Sequence, residues 1–461
     1  MTNNALNNDK NRVASSWRRR RQRLVFLLAL LASAVAYGAL AYAVPRADFG
    51  ALLGWFGLAT AAYAVLLWAR LPLRWGLGAA LALRLLWLPA VPAWSDDFYR
   101  FRWDGLLTTN DLNPYQFRPE ELVARTAPVP LAPALAQELA QLYPRLNSPR
   151  YYSVYPPVSQ AVFWLATRLS PHSERGFVLL LRLVLLAAEA LTAWLLLRLL
   201  AAAGQPPRRA LAYLLHPLVV VELTGNLHFE ALALAGGLLA VWLLWQRRSG
   251  LAGGALALAV ATKLLPVVVL PLLLRRLGTQ RWLLVAAATL GGLVLLFAPF
   301  ATRALAANIG RSLTLYFQNF EFNASLYYLL RGMGYRLTGY NEIHRLGPLL
   351  AGVAALVGAS VLLGERQPKL ANLPQALLLL LTVYYLTATV VHPWYLTPLV
   401  ALSCFGRWQF PLVWGALAVL SYSAYQTASY SENLGLVAVE YGLTLGYLLW
   451  EWRKGRLRAE D

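Results

Sequence analysis

Residues 17–44 read WRRRRQRLVFLLALLASAVAYGALAYAV. An arginine cluster gives way to a run, 24–44, that carries no charge at all. As a helix at about 1.5 Å per residue, such a run is long enough to cross the roughly 30 Å hydrocarbon core of a bilayer. Comparable runs of about 17 to 21 mostly apolar residues recur along most of the chain. The composition agrees, since 59% of the 461 residues are hydrophobic and only 13% are charged. A soluble domain carries about twice that share of charge. With no water in the bilayer to satisfy the backbone, repeated runs of this length predict an all-α polytopic membrane protein. No separate soluble domain is apparent.

The single cysteine, Cys404, excludes an internal disulfide and a cysteine-built metal site. The net charge of +20 would suit a nucleic-acid binder. Here, however, the basic residues sit in short clusters between apolar runs. That pattern follows the positive-inside rule and attraction to anionic membrane lipid, so no nucleic-acid partner is expected. The N-terminal MTNNALNNDK is polar, and no small-residue cleavage site follows a short apolar core. The first span is therefore expected to stay in the mature protein.

Sidedness follows from the same clusters. A basic tail, 1–23, and a second, 451–461, are expected on the cytoplasmic side, with one transmembrane domain over 24–450 between them. Spans 24–44, 50–69 (returning to Arg70 and Arg74) and 75–93 deliver an exterior segment, 95–175. Span 176–202 returns to Q-P-P-R-R (205–209). Two hairpins follow, 210–224 with 231–246 and 250–262 with 267–274, returning to Arg247–Arg248 and Arg275–Arg276. Several of these runs are short for ordinary spans, and they predict tilted or half-buried elements around a cavity. Span 282–300 leads to a second exterior segment, 301–345. The runs 346–364, 373–391, 395–406, 409–427 and 434–450 complete about 13 or 14 expected spans. Both exterior segments are expected to carry short amphipathic helices.

On this topology Asp96, Asp97, Asp104, His228, Glu230, Lys263 and His392 all fall at exterior ends. Ionisable residues at membrane depth are expensive and usually functional. In W-S-D-D-F-Y-R-F-R-W-D-G (94–105), Ser95 is a candidate N-cap and the aspartates would then sit in a helix's first turn, favoured by its dipole. Two adjacent carboxylates exceed what a cap needs. Helical spacing puts Asp97, Phe101 and Asp104 on one face and pairs Asp96 with Arg100 on another. A carboxylate there is a candidate general base.

N-P-Y (113–115) and V-Y-P-P-V (154–158) are rigid turns, because proline fixes its own backbone and disfavours helix just before it. Tyr151, Tyr152 and Tyr155 read either as interfacial anchors or as platforms for stacking a sugar. In N-L-H-F-E (226–230), His228 and Glu230 offer two metal ligands at most, too few for a zinc site. With Asn226 they read instead as hydrogen-bonding groups for a substrate. A-T-K-L-L-P (261–266) holds an isolated lysine, Lys263, at an exterior tip. Snorkelling is one reading, an anion site for a phosphate the other. His392 and Tyr395 of V-V-H-P-W-Y (390–395) read equally as site or interface residues. His216, before Pro217, reads as structural. Asn323-Ala-Ser is a formal glycosylation sequon of little weight.

Taken in order, S-D-D-F-Y-R-F-R-W-D-G, N-P-Y, Y-P-P, G-N-L-H-F-E and A-T-K-L-L-P resemble the bacterial polyprenol-phosphate-mannose-dependent mannosyltransferases, which are GT-C-type glycosyltransferases. The likeness runs over roughly residues 75 to 400. In that family the loop bearing the aspartate follows the first span; here it follows the third, as a two-span N-terminal extension would explain. The resemblance implies a GT-C-like bundle in a bacterial inner membrane and a polyprenyl-phosphate sugar donor. It implies a lipid or glycan acceptor, no cofactor, and chemistry on the non-cytoplasmic face. It assigns the catalytic base to Asp97 or Asp96, Asp97 being favoured because it shares a face with Asp104. Lys263, with Arg100, would meet the donor phosphate, and Asn226, His228 and Glu230 would hold the sugar or the base. An inverting transfer requires such a base and such a cation on opposite sides of the anomeric carbon. The alternatives are a flippase for a lipid-linked glycan, against which the one-sided acidic residues argue, and a glycan polymerase or ligase.

Overall fold

The computed structural model describes the backbone of residues 2–69, 72–318, 320–366, 368–427 and 430–460, and their side chains except at 2–19, 315–318 and 456–460. Arg70 and the side chains of the basic residues at 18, 19, 456 and 458 therefore lie outside the described residues. Among the described residues the regular structure is helical, apart from one isolated bridge between Phe322 and Val390. The protein is an all-α polytopic membrane protein.

Six helices are long and apolar enough to cross a bilayer: Arg20–Tyr42, Phe49–Trp68, Glu174–Ala202, Thr279–Phe300, Ile343–Gly364 and Leu370–Thr387. A further apolar pair, Pro217–Gly225 and Glu230–Trp245, is bent by 110° at its break, in the manner of a broken span or a re-entrant loop. The number of long spans among the described residues is thus smaller than the expected 13 or 14. Several of the expected spans fold as shorter helices, namely Leu73–Leu85, Ser249–Val260, Val269–Leu277 and Thr397–Ser403, whereas Phe410–Leu417 runs on as a 3-10 helix, Ala418–Gln426. Proline explains part of the difference, because it removes a helical hydrogen bond and clashes with the preceding turn. Pro89 lies in the turn after Leu85, and Pro266 precedes the Val269–Leu277 helix within a 3-10 turn.

The outer helices are apolar where they are exposed. Leu283, Leu284, Leu290, Val294 and Leu295 of one span all face outward. A contiguous apolar face of this kind is what lipid, not water, requires. Inside the bundle sit paired charges: Arg84 Nη2 lies 2.7 Å from Glu189 Oε2, and the Tyr213 hydroxyl donates to Glu189 Oε1 at 2.7 Å.

The segment after Trp94 builds its own small core. Trp103, Leu106 and Leu107 of the Asp97–Thr109 helix pack on Leu122, Leu135, Leu139 and Leu142. On its other side that helix meets the Pro157–Leu169 helix at Gly105, where an added Cβ would lie 2.7 Å from the Phe163 carbonyl oxygen. The start of the Pro157–Leu169 helix is tied in turn to the next hairpin. The Val158 amide donates to the Ala261 carbonyl at 2.8 Å, and the Ser159 hydroxyl to the Thr262 carbonyl at 3.0 Å. The Y-P-P turn thereby fixes the position of Lys263.

The bent pair owes its bend to a π-helical turn, Val220–Gly225, followed by Leu227 in the left-handed region at φ 66°. Such a conformation is unfavourable for a branched residue and persists only where its surroundings enforce it. Arg182 supplies that enforcement. Its buried guanidinium donates to the carbonyls of Thr224 (2.9 Å), Gly225 (3.2 Å), Leu88 (2.9 Å) and Ala90 (2.6 Å).

Candidate active site

The first turn of the Asp97–Thr109 helix differs from the sequence expectation by one residue. Asp96, not Ser95, occupies the N-cap position, while the Ser95 hydroxyl accepts from the Asp97 amide at 3.3 Å. The expected Asp96–Arg100 pair is not formed. Asp96 Oδ2 instead meets Arg46 Nη2 at 2.7 Å, from the turn between the first two spans, and Arg100 Nε meets Asp104 Oδ1 at 2.9 Å along the helix. The reason is side-chain direction: Arg100 is buried and reaches Asp104 one turn later, whereas Asp96 lies outside the helix proper.

The three residues expected on one face have different surroundings. Phe101 stacks on Phe163, ring centres 4.6 Å apart, within the core. Asp104 is fully buried, accepting from Gln160 at 2.9 Å and at close range from Ser153. Arg100 completes that cluster by donating to the carbonyls of Ser148 and Tyr151, at 3.2 and 3.0 Å. Its Nη2 is buried without a protein partner. Asp97 alone of the three lines the large cavity described next.

That cavity has a volume of about 820 Å³. Its polar end carries Arg46, Asp96, Asp97, Arg100, Tyr155 and Lys263, together with Glu230, His392 and Tyr395. Asp97 and Lys263 thus border one space. From Glu230 the lining continues along one helix through Ala233, Leu234, Gly237, Leu238, Val241 and Trp245. This is the i, i+3, i+4, i+7 pattern of a single helical face, about 22 Å long at 1.5 Å per residue. Leu373, Leu377 and Leu381 of a neighbouring span, with Leu402 and Phe405, line the same apolar stretch.

Around Asp97, Asn147 Nδ2 donates to Oδ1 at 2.8 Å, and His228 Nδ1 lies 3.9 Å from Oδ2. His228 is buried, and its Nε2 lies 3.3 Å from Glu222 Oε2. Glu222 in turn accepts from the Tyr422 hydroxyl at 2.7 Å and from Asn226 Nδ2 at 3.1 Å. A file of groups therefore runs carboxylate, imidazole, carboxylate, phenol from the cavity wall into the bundle. Asn226 belongs to this file and does not line the cavity. Trp394 holds the imidazole flat, its ring stacked on His228 at 3.7 Å and on His392 at 4.4 Å. Burial first, then the neighbouring His228 and Lys263, holds the His392 imidazole well below its ordinary pKa and hence neutral. Two backbone bonds keep that loop in place, the Phe322 amide donating to the Thr389 carbonyl (3.0 Å) and the Val391 amide to the Phe322 carbonyl (2.8 Å).

Lys263 is not an unpaired cation. It forms a close ion pair with Glu230 and lies 4.9 Å from the centre of the Tyr395 ring. Tyr155 packs edge-on against Phe101 at 5.0 Å, and its carbonyl accepts from the Tyr115 hydroxyl of N-P-Y at 2.6 Å. His216 is buried and structural, accepting from the Leu218 amide at 3.2 Å with Nε2 3.0 Å from the Leu412 carbonyl. The sequon's Asn323 is buried and donates to Glu440 at 3.1 Å. It is not presented for modification.

Sequence reasoning missed Arg46, Asn147, Glu222 and Tyr422. Glu222 carried a readable signal, a lone carboxylate inside the apolar run V-V-V-E-L (219–223). The others come from segments far apart in the chain.

Among known proteins, the family model described as "Alpha-(1->6)-mannopyranosyltransferase, N-terminal domain" matches residues 27–278, more than half of this chain. A search of curated proteins returns no match. The matched region contains the S-D-D helix, the Y-P-P turn, the bent helix pair with His228 and the Lys263 hairpin. The chain belongs to the alpha-(1→6)-mannopyranosyltransferase family and is a GT-C-type membrane mannosyltransferase.

Proposed function

We propose that this mannosyltransferase takes its sugar from a polyprenyl-phosphate donor and passes it to a hydroxyl of a lipid-linked or glycan acceptor. The reaction would occur on the exterior face of a bacterial cytoplasmic membrane. One observation carries the reading: a single cavity joins a polar end bearing Asp97 and Lys263 to an apolar stripe running to Trp245. A substrate with a sugar phosphate at one end and a hydrocarbon chain at the other matches both halves.

Asp97 acts as general base. The acceptor oxygen attacks the anomeric carbon, its proton passes to the Asp97 carboxylate, and the bond from that carbon to the phosphate oxygen breaks. The electron pair leaves with the polyprenyl phosphate. Lys263 stabilises that leaving anion. An ammonium group has three N–H donors, so the pair with Glu230 leaves donors for a phosphate. Glu230, beside it, holds hydroxyls of the sugar, and Arg100, through its unpartnered Nη2, offers a further donor. Tyr155 and Tyr395 provide ring faces for the sugar, while Trp394 is held between His228 and His392. His228 lies behind Asp97 and, together with Glu222, Asn226 and Tyr422, orients it. Asp104 positions the helix through Arg100. His392 backs the same wall as a neutral imidazole. The family description names an alpha-(1→6) bond; on that linkage the acceptor group would be a C6 hydroxyl, and inversion at carbon 1 would require a beta-linked donor.

The test is transfer by the purified full chain from labelled polyprenyl-phosphate mannose to a mannoside with a free C6 hydroxyl. A labelled disaccharide should form with wild type and be lost with Asp97→Asn. Transfer that survives Asp97→Asn would sink the assignment of the base. Movement of lipid across vesicles without a new glycosidic bond would identify a flippase instead.

A further inference from the structure

A second, smaller cavity of about 270 Å³ is lined by Arg118, Arg150, Tyr151, Tyr152, Arg311 and Ser312. Its position is informative, because Tyr151 and Tyr152 also line the large cavity. The two spaces share a wall. That wall is fixed from both ends: Arg100 donates to the Tyr151 carbonyl at 3.0 Å, and the Ser312 hydroxyl donates to the Tyr152 carbonyl at 3.2 Å.

The three guanidinium groups are unequally satisfied. Arg118 meets Glu120 at 2.7 Å and Glu121 at 2.8 Å, yet its Nε is buried without a partner. Arg150 is 81% exposed, with Glu120 no nearer than 4.0 Å. Arg311 is exposed and forms no ion pair among the described residues. Two of the three arginines thus point charge at a concave space without a close counter-charge. A guanidinium fork matches the geometry of a phosphate and binds it bidentately.

We propose that this pocket is an anion subsite which anchors a phosphate or phosphodiester carried by the acceptor. The assignment to the acceptor rests on the mannosyl-transfer reading. In that reading Lys263 holds the donor phosphate, and the acceptor must reach Asp97. The segment from Asn147 to Tyr152 links the two places directly: Asn147 donates to Asp97 at 2.8 Å, and Arg150 lies three residues on. An acceptor bound through its phosphate at Arg150 and Arg311 would extend past Tyr151 toward the base. The phosphate has two chemical sources, a soluble phosphorylated glycan or a lipid headgroup.

The experiment measures anion binding to the purified full chain without donor, so it does not depend on transfer. The probes are glycerol 3-phosphate in solution and vesicles of phosphatidylglycerol, with phosphatidylcholine vesicles as reference. The variant is the double substitution R150Q/R311Q; both side chains are exposed, and an unchanged thermal midpoint verifies the fold. The expected result is a Kd for glycerol 3-phosphate at least about tenfold weaker in the variant, the factor expected for losing charged hydrogen bonds. If only the phosphatidylglycerol vesicles lose affinity in the variant, the subsite stands and its source is the headgroup. Equal affinity in wild type and variant for both probes, or no binding of either, overturns the proposal. Because binding is read directly, failure here leaves the donor chemistry at Lys263 untouched, and loss of transfer in Asp97→Asn leaves this subsite untouched.

Discussion

A carboxylate that accepts a proton from an alcohol must be held in one orientation, and Asp97 is held from two sides. Asn147 takes one oxygen and His228 faces the other. If Asp97 is the base, Asp97→Asn lowers turnover by about a thousandfold, within the usual contribution of general-base catalysis. On the same reading Glu222 acts on Asp97 through His228, so its replacement has a different signature. Glu222→Gln keeps the shape and the contact to Tyr422, and it is expected to lower kcat about tenfold while leaving the KM for donor unchanged. Glu222→Ala removes the acceptor of Tyr422 and Asn226 as well and should fall further. Steady-state kinetics with labelled donor separate the two. His392 makes a prediction about pH. Its folded-state pKa lies below the ordinary imidazole value of about 6.5. The unfolded chain therefore takes up the proton first, and stability contributed by the neutral ring is present above about pH 6.5 and lost as the pH falls below it. His392→Phe keeps a stacking ring without the proton site. Its thermal midpoint should fall less between neutral and acid pH than that of wild type, measured in the same detergent.

At the level of elements, two short contacts set where the proposed site stands. Gly105 lets the Asp97–Thr109 helix approach the Pro157–Leu169 helix, and any Cβ there would press on the Phe163 carbonyl. Gly105→Val should separate the two helices and lower the thermal midpoint by several degrees, since overpacking costs about 1–3 kcal/mol. Ser159 holds the Thr262 carbonyl next to Lys263. Ser159→Ala is expected to raise the donor KM severalfold, with a smaller change in thermal midpoint, because it frees the lysine hairpin and leaves the helix in place. Both contacts show why the candidate site was only partly legible in the sequence. The motif residues themselves could be read, since Asp97, Glu230, Lys263, Tyr155 and His392 are polar groups interrupting apolar runs, and all five border the cavity. Their partners could not be read. Pairing Asp96 with Arg100 followed helical spacing, but the carboxylate lay outside the helix and found Arg46, some fifty residues earlier.

For the molecule as a whole, hydrophobicity and length identified the all-α membrane class because lipid leaves the backbone few choices. They marked more apolar runs than there are long, apolar, span-length helices among the described residues, because a run broken by proline reads like an unbroken span until its neighbours are known. Pro266 and the bend before Glu230 turn such runs into the walls of a cavity. Arg182 holds that bend, and removing it strands several carbonyls at about 1–3 kcal/mol each. The bend itself has a further consequence. By turning the chain through 110° it releases the whole Glu230–Trp245 helix to present one apolar face, so the cavity acquires a ruled edge with the reacting groups at zero and the Trp245 ring at the far mark. A donor whose hydrocarbon chain stops short of that mark leaves part of the edge wet, and one that overshoots it gains nothing more. Affinity for a series of donors should therefore climb with tail length and then level off, and shortening residue 245 to alanine should move the plateau without touching the chemistry at the other end.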